Sequence, residues 1–466
     1  MKKSYLKITA ALLALLTLGF TACEDDDDNN KEEETNYYTL GSTKFTVDED
    51  MGTVTIKDNG SGIGTRTLSA DTTWILDGFV FVAEGQTLTI EAGTMIQGKP
   101  GQGENASAMI INRGGVIEAE GTASEPIIFT GLGDTKDGTG YLTEVQGLWG
   151  GVIVLGNATT NNPSTDKRVE GIPEDYDALY GGTDDNDNSG TLKYVSIRHG
   201  GTDIGAGNEI NGLTLAGVGG GTTIEYIEVA SNIDDGVEFF GGAPRLKHVL
   251  VSYVGDDSYD YDEGFHGMGQ FWVAMQGETS GDRLGEHDGG PSDNEVGEPY
   301  AKPTIYNATY IGHDGKSIIF RDNAGGTYAN SIFATAGGLN VEYRDDKHNA
   351  FDMLSEGHLV LKNNIFNRIG DGTAEDALNI KEESGTAPAT AEDDLLAHFN
   401  DNNNEVATLE IGFIDDEYYF IPAASEAGNG VAPTNDWFDN VTYQGAFQPG
   451  GSNWAAGWTL TFGSSK

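Results

Sequence analysis

Short stretches of alternating apolar and polar residues follow one another from about residue 45 to the C-terminus. Each stretch is four to seven residues long and is bounded by Gly, Asn or Asp, and no segment keeps a helical repeat of apolar positions over three turns. Alternation with a period of two is typical of β-strands that bury one face. The pattern therefore predicts a predominantly β protein and leaves a sandwich, a propeller or a solenoid open.

Internal repeats distinguish between these architectures. The segment 223–229 (TIEYIEV) aligns with 245–251 (RLKHVLV) at an offset of 22 residues, and 191–197 (TLKYVSI) has the same spacing of apolar positions. An offset of this size is typical of one coil of a solenoid, in which equivalent strands stack on one another.

A second set of repeats carries an Asn at one equivalent position. The sequences IYNATY, YANSIF and LKNNIF align at offsets of 23 and 33 residues and place Asn307, Asn330 and Asn363 in register. Asn tolerates a left-handed backbone, and stacked side-chain amides hydrogen-bond along a ladder. We therefore expect a recurring bend that is lined by an Asn ladder.

A third recurring element, x-G-Φ-x-Φ with Φ apolar, follows these strands. It occurs at 211–215, 235–239, 263–267, 314–318, 337–341 and, without its Gly, at 376–380. Each coil of about 22–28 residues then holds three short strands, so the coil has three sides. Such coils cannot bury their apolar side alone, but parallel stacking encloses a continuous core. Antiparallel hairpin signals do not dominate, which disfavours the sandwich and the propeller.

Residues 76–157 carry a resemblance to a known superfold. They contain LDGFVFVAEGQTLTIEAGTMIQGKP, AMIINRGGVIEAEGTASEPIIFTG and GLWGGVIVLGN, which resemble the N-terminal coils of right-handed parallel β-helix proteins, the pectate-lyase-like superfold. Residues 232–242, 261–276 and 445–460 are similar to a group of β-helix lipoproteins of Bacteroidota. The resemblance implies an all-β, right-handed parallel β-helix. It implies no single chemistry, because this superfold carries lyases, hydrolases, esterases and adhesins.

Long segments rich in Gly, Asp, Asn and Glu interrupt the coils and are expected to form loop insertions. They are residues 133–146, 157–190, 277–303 and 381–405. On a β-helix such insertions gather on particular faces and wall a groove.

Aromatic residues near the C-terminus are expected to cap the last coil, since a bare solenoid end exposes its core and a sheet edge. They are Trp437, Phe438, Phe447, Trp454 and Trp458. Stacking of carbohydrate on Trp454 and Trp458 is the functional alternative.

Residues 1–22 have the composition of a secretory signal peptide. Lysines precede an apolar run from Ile8 to Ala22, which is too short to span a hydrocarbon core of ~30 Å. Cys23 follows directly and is the only Cys of the chain, as in a bacterial lipoprotein signal. We therefore expect cleavage before Cys23 and lipidation of its side chain.

Residues 23–40 begin with the like-charge block EDDDDNNKEEETN, which predicts a disordered acidic tether. The block resembles the signal that sends lipoproteins of Bacteroidota to the outer face of the outer membrane. A spacer without a sorting role is the alternative. Residues 41–466 are then the parallel β-helix, with cap coils at its N-terminal end.

The charge of the chain limits its partners. It has 26 Lys and Arg against 74 Asp and Glu, a net charge of −48. Nucleic acid and anionic lipid surfaces bind clustered Lys and Arg, so nucleic acid is excluded as a partner. No phosphate-binding motif indicates a nucleotide cofactor, and a single Cys excludes a Cys-based zinc cluster. We expect a monomer whose membrane contact is the lipid on Cys23.

The densest group of candidate ligands lies in 232–242 and 255–267. Aligning the DG and EG corners of these segments predicts three stacked pairs: Asp234 over Asp262, Asp235 over Glu263 and Glu238 over His266. Adjacent strands lie about 4.8 Å apart, so stacked carboxylates repel unless a proton or a cation lies among them.

Calcium is the cation that suits such a corner, because it takes six to eight oxygen ligands in irregular geometry. The expected ligands are Asp234, Asp235, Asp257, Asp262 and Glu263, with Asp256 and Asp260 available to complete the site. A solvated acidic corner without a metal ion is the alternative.

The candidates for catalysis are His266, Glu238 and Arg198. His266 is flanked by acids and is a possible general base, and a residue of a surface ladder is the alternative. Glu238 is one of many carboxylates available to a glycosidase, which uses two of them. Arg198 is a basic residue of the kind that a pectate-type lyase needs beside Ca²⁺, but no local motif identifies the base.

The predicted function is binding of an extracellular glycan or other surface polymer along one face of the β-helix, assisted by Ca²⁺. The alternatives are a polysaccharide lyase or glycoside hydrolase at the same face, and an adhesive surface protein without a small ligand. A groove walled by 157–190 and 277–303, with an Arg or Lys facing the acids, favours the enzyme. A flat, solvated acidic face favours adhesion.

Overall fold

The computed structural model describes residues 36–463, except 165–166, 171, 206–207, 279, 314–316, 335–336 and 416. The predicted signal peptide, Cys23 and residues 24–35 of the tether therefore lie outside the described residues. Residues 36–40, which the charge pattern placed in the tether, form a β-strand. No helix of the described residues is long and apolar enough to cross a membrane.

Thirty-four strands, two α-helices and two short 3₁₀ helices (Gly103–Asn105 and Ala374–Asp376) make up the regular structure of the described residues. The first twelve strands are β1 (Asn36–Leu40), β2 (Thr43–Asp48), β3 (Thr53–Lys57), β4 (Arg66–Leu68), β5 (Thr73–Leu76), β6 (Phe79–Val82), β7 (Thr87–Ile90), β8 (Met95–Gly98), β9 (Ala108–Ile111), β10 (Val116–Glu120), β11 (Ile127–Gly131) and β12 (Val152–Leu155). They are followed by β13 (Gly190–Arg198), β14 (Asp203–Gly205), β15 (Asn208–Glu209), β16 (Leu213–Ala216), β17 (Thr223–Ala230), β18 (Val237–Phe240), β19 (Arg245–Ser252), β20 (Tyr259–Asp262), β21 (Met268–Met275) and β22 (Gly285–His287). The C-terminal part contains β23 (Thr304–Tyr306), β24 (Thr309–Ile311), β25 (Ile318–Phe320), β26 (Gly326–Ala329), β27 (Ile332–Ala334), β28 (Leu339–Tyr343), α1 (Ala350–Ser355), β29 (Leu359–Lys362), β30 (Ile365–Asn367), β31 (Leu378–Glu382), α2 (Ala391–Asp401), β32 (Glu405–Ala407), β33 (Gly412–Ile414) and β34 (Glu417–Tyr419).

These strands build a coil with three sides, which confirms the predicted parallel β-helix. The first side stacks β4, β7, β10, the first halves of β13, β17, β19 and β21, and then β23, β26 and β29. The second side stacks β5, β8, β11, the second halves of the same long strands, and then β24, β27, β30 and β32. The third side is a ten-stranded sheet in the order β6, β9, β12, β16, β18, β20, β22, β25, β28 and β31.

The register on the first two sides is the one that the repeats predict. The pairs between β17 and β19 are Ile224 with Leu246, Ile227 with Val249 and Val229 with Val251. All six side chains are buried in the central apolar cluster. Burial of apolar surface contributes roughly 25 cal/mol per Å², so these stacked columns supply the main stabilisation of the solenoid.

The strands of the first two sides meet at a residue with left-handed backbone. This column consists of Tyr194, Tyr226, His248, Phe271, Asn307, Asn330, Asn363 and Asn403, with φ between +48° and +61°. The Asn bend is therefore confirmed. The amides of Asn307 and Asn330 do not bond to each other: they donate to the carbonyl oxygens of Tyr443 and Val431 at 2.7 and 2.9 Å.

The aromatic residues had suggested that the C-terminal segment covers the end of the last coil. Residues 417–463 instead run back along the column of bends. We call this segment the C-terminal strap. Its ring contacts are Phe438 on Tyr306, Trp454 on His248 and Tyr226, Phe447 on Trp454, Trp458 on Tyr194, and Trp437 beside Lys247. Trp458 is 3% exposed, which leaves no free face for a sugar ring to stack on.

The open end of the last coil is covered by α2 instead. This helix lies within 381–405, which the composition predicted to be a loop, and buries Ala391, Leu395 and Phe399 against the core. The ring centroids of Phe399 and Phe366 lie 5.5 Å apart. At the other end, the antiparallel strands β1, β2 and β3 cover the first coil through buried Phe45, Val54 and Ile56.

We predict that Phe399→Ala lowers the free energy of unfolding by about 3 to 5 kcal/mol, because it removes a buried ring and leaves a cavity. Urea unfolding measures the change. The control is Ala397→Gln at an exposed position of the same helix, which should alter stability by no more than about 0.5 kcal/mol. Equal stability of the two variants would contradict the assignment of α2 as the end cap.

Candidate functional site

The acidic strands of the third side align six residues away from the register that the sequence predicted, since Glu238 pairs with Asp260 and not with His266. Phe240 pairs with Asp262 in the same register. The stretch D257-S-Y-D-Y261 is the equivalent of D235-G-V-E-F239, with Ser258 in the place of Gly236. The alignment on Gly264 was wrong because Gly264 belongs to the turn after β20, where its φ is +77°.

The correct register brings seven carboxylates together at the start of β18, β20 and β22. We call Asp234, Asp235, Glu238, Asp256, Asp257, Asp260 and Asp282 the acidic cluster. Three overlapping groups within it have one oxygen per residue within 4.8 Å of the others: Asp234, Asp235 and Asp256; Asp235, Glu238 and Asp260; and Asp256, Asp257 and Asp282. Two unit charges at this separation repel by roughly 3 kcal/mol at an effective dielectric constant of about 20.

The centre of the acidic cluster is buried and only partly hydrogen-bonded. Asp235, Glu238 and Asp257 are between 4% and 7% exposed. Asp235 accepts the backbone N–H of Asp257 at 2.9 Å, and Glu238 accepts the side-chain amide of Asn211. One carboxylate oxygen of Asp260, Oδ1, is buried and has no partner among the described residues.

Burial and mutual repulsion make these acids hard to ionise. Burial, followed by the charges of Asp257 and Asp234, raises the pKa of Asp235 well above its usual range. Burial raises the pKa of Glu238 and of Asp260 in the same way, with Asp235 as the next cause for both. The pKa values of Asp234 and Asp257 rise to about 7, again chiefly through burial.

Basic residues reach only the edge of the acidic cluster. Arg283 pairs with Asp282 and lies 3.5 Å from Glu286. Arg321 pairs with Glu286 and with Asp288. Among the described residues, no Lys or Arg forms an ion pair with any of the other six members of the cluster. Protons or a bound cation must therefore neutralise the negative charge of these six carboxylates.

Two further acids approach the cluster from parts of the chain that the sequence did not connect with it. Glu170 belongs to the insertion 157–190, and its charge raises the pKa of Asp234 and of Glu238. Glu209, in β15, raises the pKa of Asp234 and of Glu170. No sequence signal identifies Glu170, because an insertion has no place in the repeat.

The predicted ligands Asp262 and Glu263 lie at the opposite end of β20. Five residues separate Asp257 from Asp262, about 16 Å along an extended strand. Burial raises the pKa of Asp262 to about 7, with Asp288 as the next cause. Glu263 accepts hydrogen bonds from Asn162 and from the Tyr180 hydroxyl at 2.5 and 2.7 Å. The five predicted ligands thus divide between two places, and only Asp234, Asp235 and Asp257 belong to the acidic cluster.

The three candidates for catalysis do not converge. Glu238 is buried in the acidic cluster, whereas His266 follows the turn after β20, with Nε2 3.3 Å from Oδ2 of Asp185. Arg198 ends β13 on the second side of the coil, where it lies 3.9 Å from Glu228. A reaction that needs all three groups at one bond has no support in this arrangement.

Part of the insertion 157–190 packs against the third side. Val169, Ile172 and Tyr180 of this insertion cover its apolar N-terminal half, where they pack in one apolar cluster with Phe81 and Ile153. Asn161 joins the two insertions, because its amide donates to the carbonyl of Gly289 at 2.7 Å. The stretch 277–303 also contains β22, a short strand of the sheet itself.

The donors of the acidic cluster fit Ca²⁺. They are all oxygens, they come from several coils in irregular geometry, and Oδ1 of Asp260 lacks a partner in the described structure. Ca²⁺ binds such sets of carboxylates and carbonyls. Asp235, Glu238 and Asp260 would hold one ion, and Asp256 and Asp257 lie beside it for a second.

Comparison with known proteins identifies the fold family. The family model described as pectate-lyase like beta helix domain matches residues 60–459. No curated protein and no solved structure matches the chain.

We predict that the metal-free protein loses stability as the pH rises from about 4 to about 7. The pKa values of Asp234 and Asp257 are about 7 in the folded chain and ordinary in the unfolded chain, so the folded state binds more protons in this window. Thermal melting in the presence of a chelator measures the slope.

Asp257→Asn should flatten this slope, because the amide keeps the shape of the neutral acid. Asp393→Asn, at an exposed site on α2, should leave the slope unchanged. A melting temperature that rises through the window, or an unchanged slope in Asp257→Asn, would contradict the electrostatic account.

Proposed function

The chain belongs to the pectate-lyase-like β-helix family, and from this we propose that it binds an anionic extracellular polysaccharide on the third side of the solenoid, through Ca²⁺. The family membership fits a carbohydrate-related role. The observation that supports the proposal most is the acidic cluster, in which no described Lys or Arg forms an ion pair with the buried side chains of Asp235, Glu238 and Asp257.

Calcium explains how so acidic a protein attracts an acidic polymer. A chain with a net charge of −48 repels polyanions at long range, and salt screens this repulsion only in part. A Ca²⁺ ion held by Asp235, Glu238 and Asp260 on one side has ligand positions left for carboxylates of a polymer on the other. Polysaccharide binding should therefore depend strictly on Ca²⁺.

Two observations favour binding over catalysis at this face. A pectate-type lyase needs a free basic residue beside the metal, and Arg283 and Arg321 are both engaged by acids. The neighbouring Asp288 and Glu286 raise the pKa of Arg321 against the effect of its burial, which makes it a poorer base. A glycosidase needs two carboxylates that flank a sugar, whereas Asp235 and Glu238 are buried side by side.

We place the protein on the cell surface as a lipid-anchored monomer. The support is the apolar run before Cys23, the absence of any other Cys and the acidic block that follows it. A tether of 12 residues, 24–35, lies between Cys23 and β1 and can reach up to roughly 45 Å.

The test of the proposed function is retention of soluble polysaccharides by the immobilised protein with Ca²⁺ and with a chelator. We expect polygalacturonate or alginate to bind in Ca²⁺ and to be released by the chelator, and neutral polymers such as dextran not to bind. Reducing ends and unsaturated products are measured in the same samples, and neither should accumulate.

The variant Asp235→Asn with Glu238→Gln should reduce polysaccharide binding at least tenfold, roughly the loss expected when two of three carboxylate ligands are neutralised. The matched control is Asp393→Asn on α2. Binding that persists in the chelator, or that survives the double substitution, would count against the proposal. Steady product release would favour the enzyme.

The anchor is tested separately in cells. Cys23→Ser should move the protein from the membrane fraction to the soluble fraction, because no other anchor is expected. Protease treatment of intact cells should degrade the native protein if it faces outward. Membrane association of the Cys23→Ser protein would contradict the lipid anchor.

A further inference from the structure

Two histidines and one glutamate meet around α1. His348 precedes the helix, Glu356 follows it, and His358 lies just before β29. They come after the carboxyl end of β28, whereas the acidic cluster lies at the start of β18, β20 and β22. Nε2 of His348 lies 3.2 Å from Oε1 of Glu356, and Nε2 of His358 lies 3.9 Å from Oε2. One carboxylate therefore faces two imidazole rings.

The backbone around α1 holds these three positions in place. The side chain of Asn349 caps the start of the helix. At its end, the backbone N–H of Glu356 donates to the carbonyl of Asp352 at 2.8 Å, and that of His358 donates to the carbonyl of Met353 at 2.7 Å. Met353 is fully buried in the core. The three side chains therefore project from a rigid element, which is what a metal or binding site requires.

Asn323 determines which nitrogen of His348 carries a proton. Asn323 is fully buried, and its side-chain N–H donates to the carbonyl of Glu295 at 3.1 Å, which assigns the other atom of the amide as Oδ1. This oxygen is bonded to Nδ1 of His348, and because an amide oxygen only accepts, Nδ1 carries the proton. In the neutral ring, Nε2 then presents a lone pair to Oε1 of Glu356. Two acceptors at this distance repel unless a proton or a metal ion lies between them.

We propose that His348, Glu356 and His358 bind a divalent transition-metal ion, and that Zn²⁺ is the ion whose ligand preference fits best. Zn²⁺ binds imidazole nitrogen and carboxylate oxygen at about 2.0 to 2.2 Å in tetrahedral geometry, in which two ligands lie about 3.4 Å apart. The 3.2 Å between His348 and Glu356 is close to that separation. Asn323 serves as the outer hydrogen-bond partner that orients a metal-bound imidazole. Ca²⁺ is disfavoured, because it takes oxygen ligands.

Lys302 competes with a metal ion for His358. An ammonium group only donates, and Nζ of Lys302 lies 2.8 Å from Nδ1 of His358. Nδ1 therefore accepts, and the proton of the neutral ring is on Nε2. A metal ion that binds Nε2 requires this proton to be on Nδ1 instead, so Lys302 must turn away. Its side chain is exposed, and the half-buried ring of His358 can then move toward Glu356 to complete the site.

This site does not rest on the proposed function. Its ligands include two imidazole nitrogens, whereas the acidic cluster offers oxygen atoms alone. Excess Ca²⁺ therefore occupies the acidic cluster without filling this site, and the failure of either proposal leaves the other unaffected. A metal ion bound here connects residues on both sides of α1, so it should also stabilise the folded chain.

The test is calorimetric titration with ZnCl₂ at about pH 7.5 in excess CaCl₂, since imidazole binds a metal ion in its neutral form. The protein carries Cys23→Ser, which removes the one thiol of the chain. We expect one Zn²⁺ site per chain and a melting temperature that rises with Zn²⁺ concentration. MgCl₂ supplies an ion that prefers oxygen and should cause neither effect in the same buffer. Absence of Zn²⁺ binding would overturn the proposal.

Three substitutions locate the site, and melting without Zn²⁺ checks that each variant folds. Glu356→Gln and His348→Gln should each weaken Zn²⁺ binding at least tenfold. The matched control, Glu383→Gln at an exposed glutamate outside the site, should leave it unchanged. Lys302→Gln should strengthen binding roughly threefold, because its amide oxygen accepts the proton that Nδ1 of His358 must carry. Unchanged affinity in Glu356→Gln or His348→Gln would overturn the proposal, and unchanged or weaker binding in Lys302→Gln would remove His358 from the ligands.

Discussion

Parallel stacking of coils is the constraint on which the other features of this molecule depend. Residues that are 22 to 33 positions apart in sequence are placed one above another, at the strand spacing of about 4.8 Å. Where the repeated residue is apolar, as at Ile224 and Leu246, the result is a column of the core. Where it has a left-handed backbone, the result is a column of bends. Where it is acidic, stacking forces like charges together, and that is the situation at Glu238 and Asp260.

In the acidic cluster, stacking works against stability. Glu238 and Asp260 lie on adjacent strands, one carboxylate oxygen of Asp235 lies within 4.8 Å of an oxygen of each, and the charge of Glu170 in the insertion 157–190 acts on Glu238. Burial removes the water that would otherwise screen these charges. A cation coordinated by the carboxylate oxygens would offset this repulsion. It would also explain why the acids are buried and why no described Lys or Arg forms an ion pair with Asp235, Glu238 or Asp260.

The sequence predicted most of what the repeat controls. The pairing of Ile224 with Leu246 and the left-handed bend at Asn307 follow from spacing alone, since each coil must present the same side chain to its neighbour. The register of β20 was missed because Ser258 stands where the pattern has Gly, and this error separated Glu238 from Asp260. The C-terminal strap, α2 and Glu170 lie outside the repeat, so their positions depend on tertiary contacts that no local pattern records.

The most direct measurement is a crystal structure of the protein grown in Ca²⁺, with anomalous scattering used to locate the ions. The account predicts an anomalous peak among Asp235, Glu238 and Asp260, with carboxylate oxygens about 2.3 to 2.6 Å from it. The contradicting result is a structure at the same Ca²⁺ concentration in which the cluster holds no anomalous peak and its carboxyl groups hydrogen-bond directly to one another. The acids would then be stabilised by protons, and the third side would not be a calcium site.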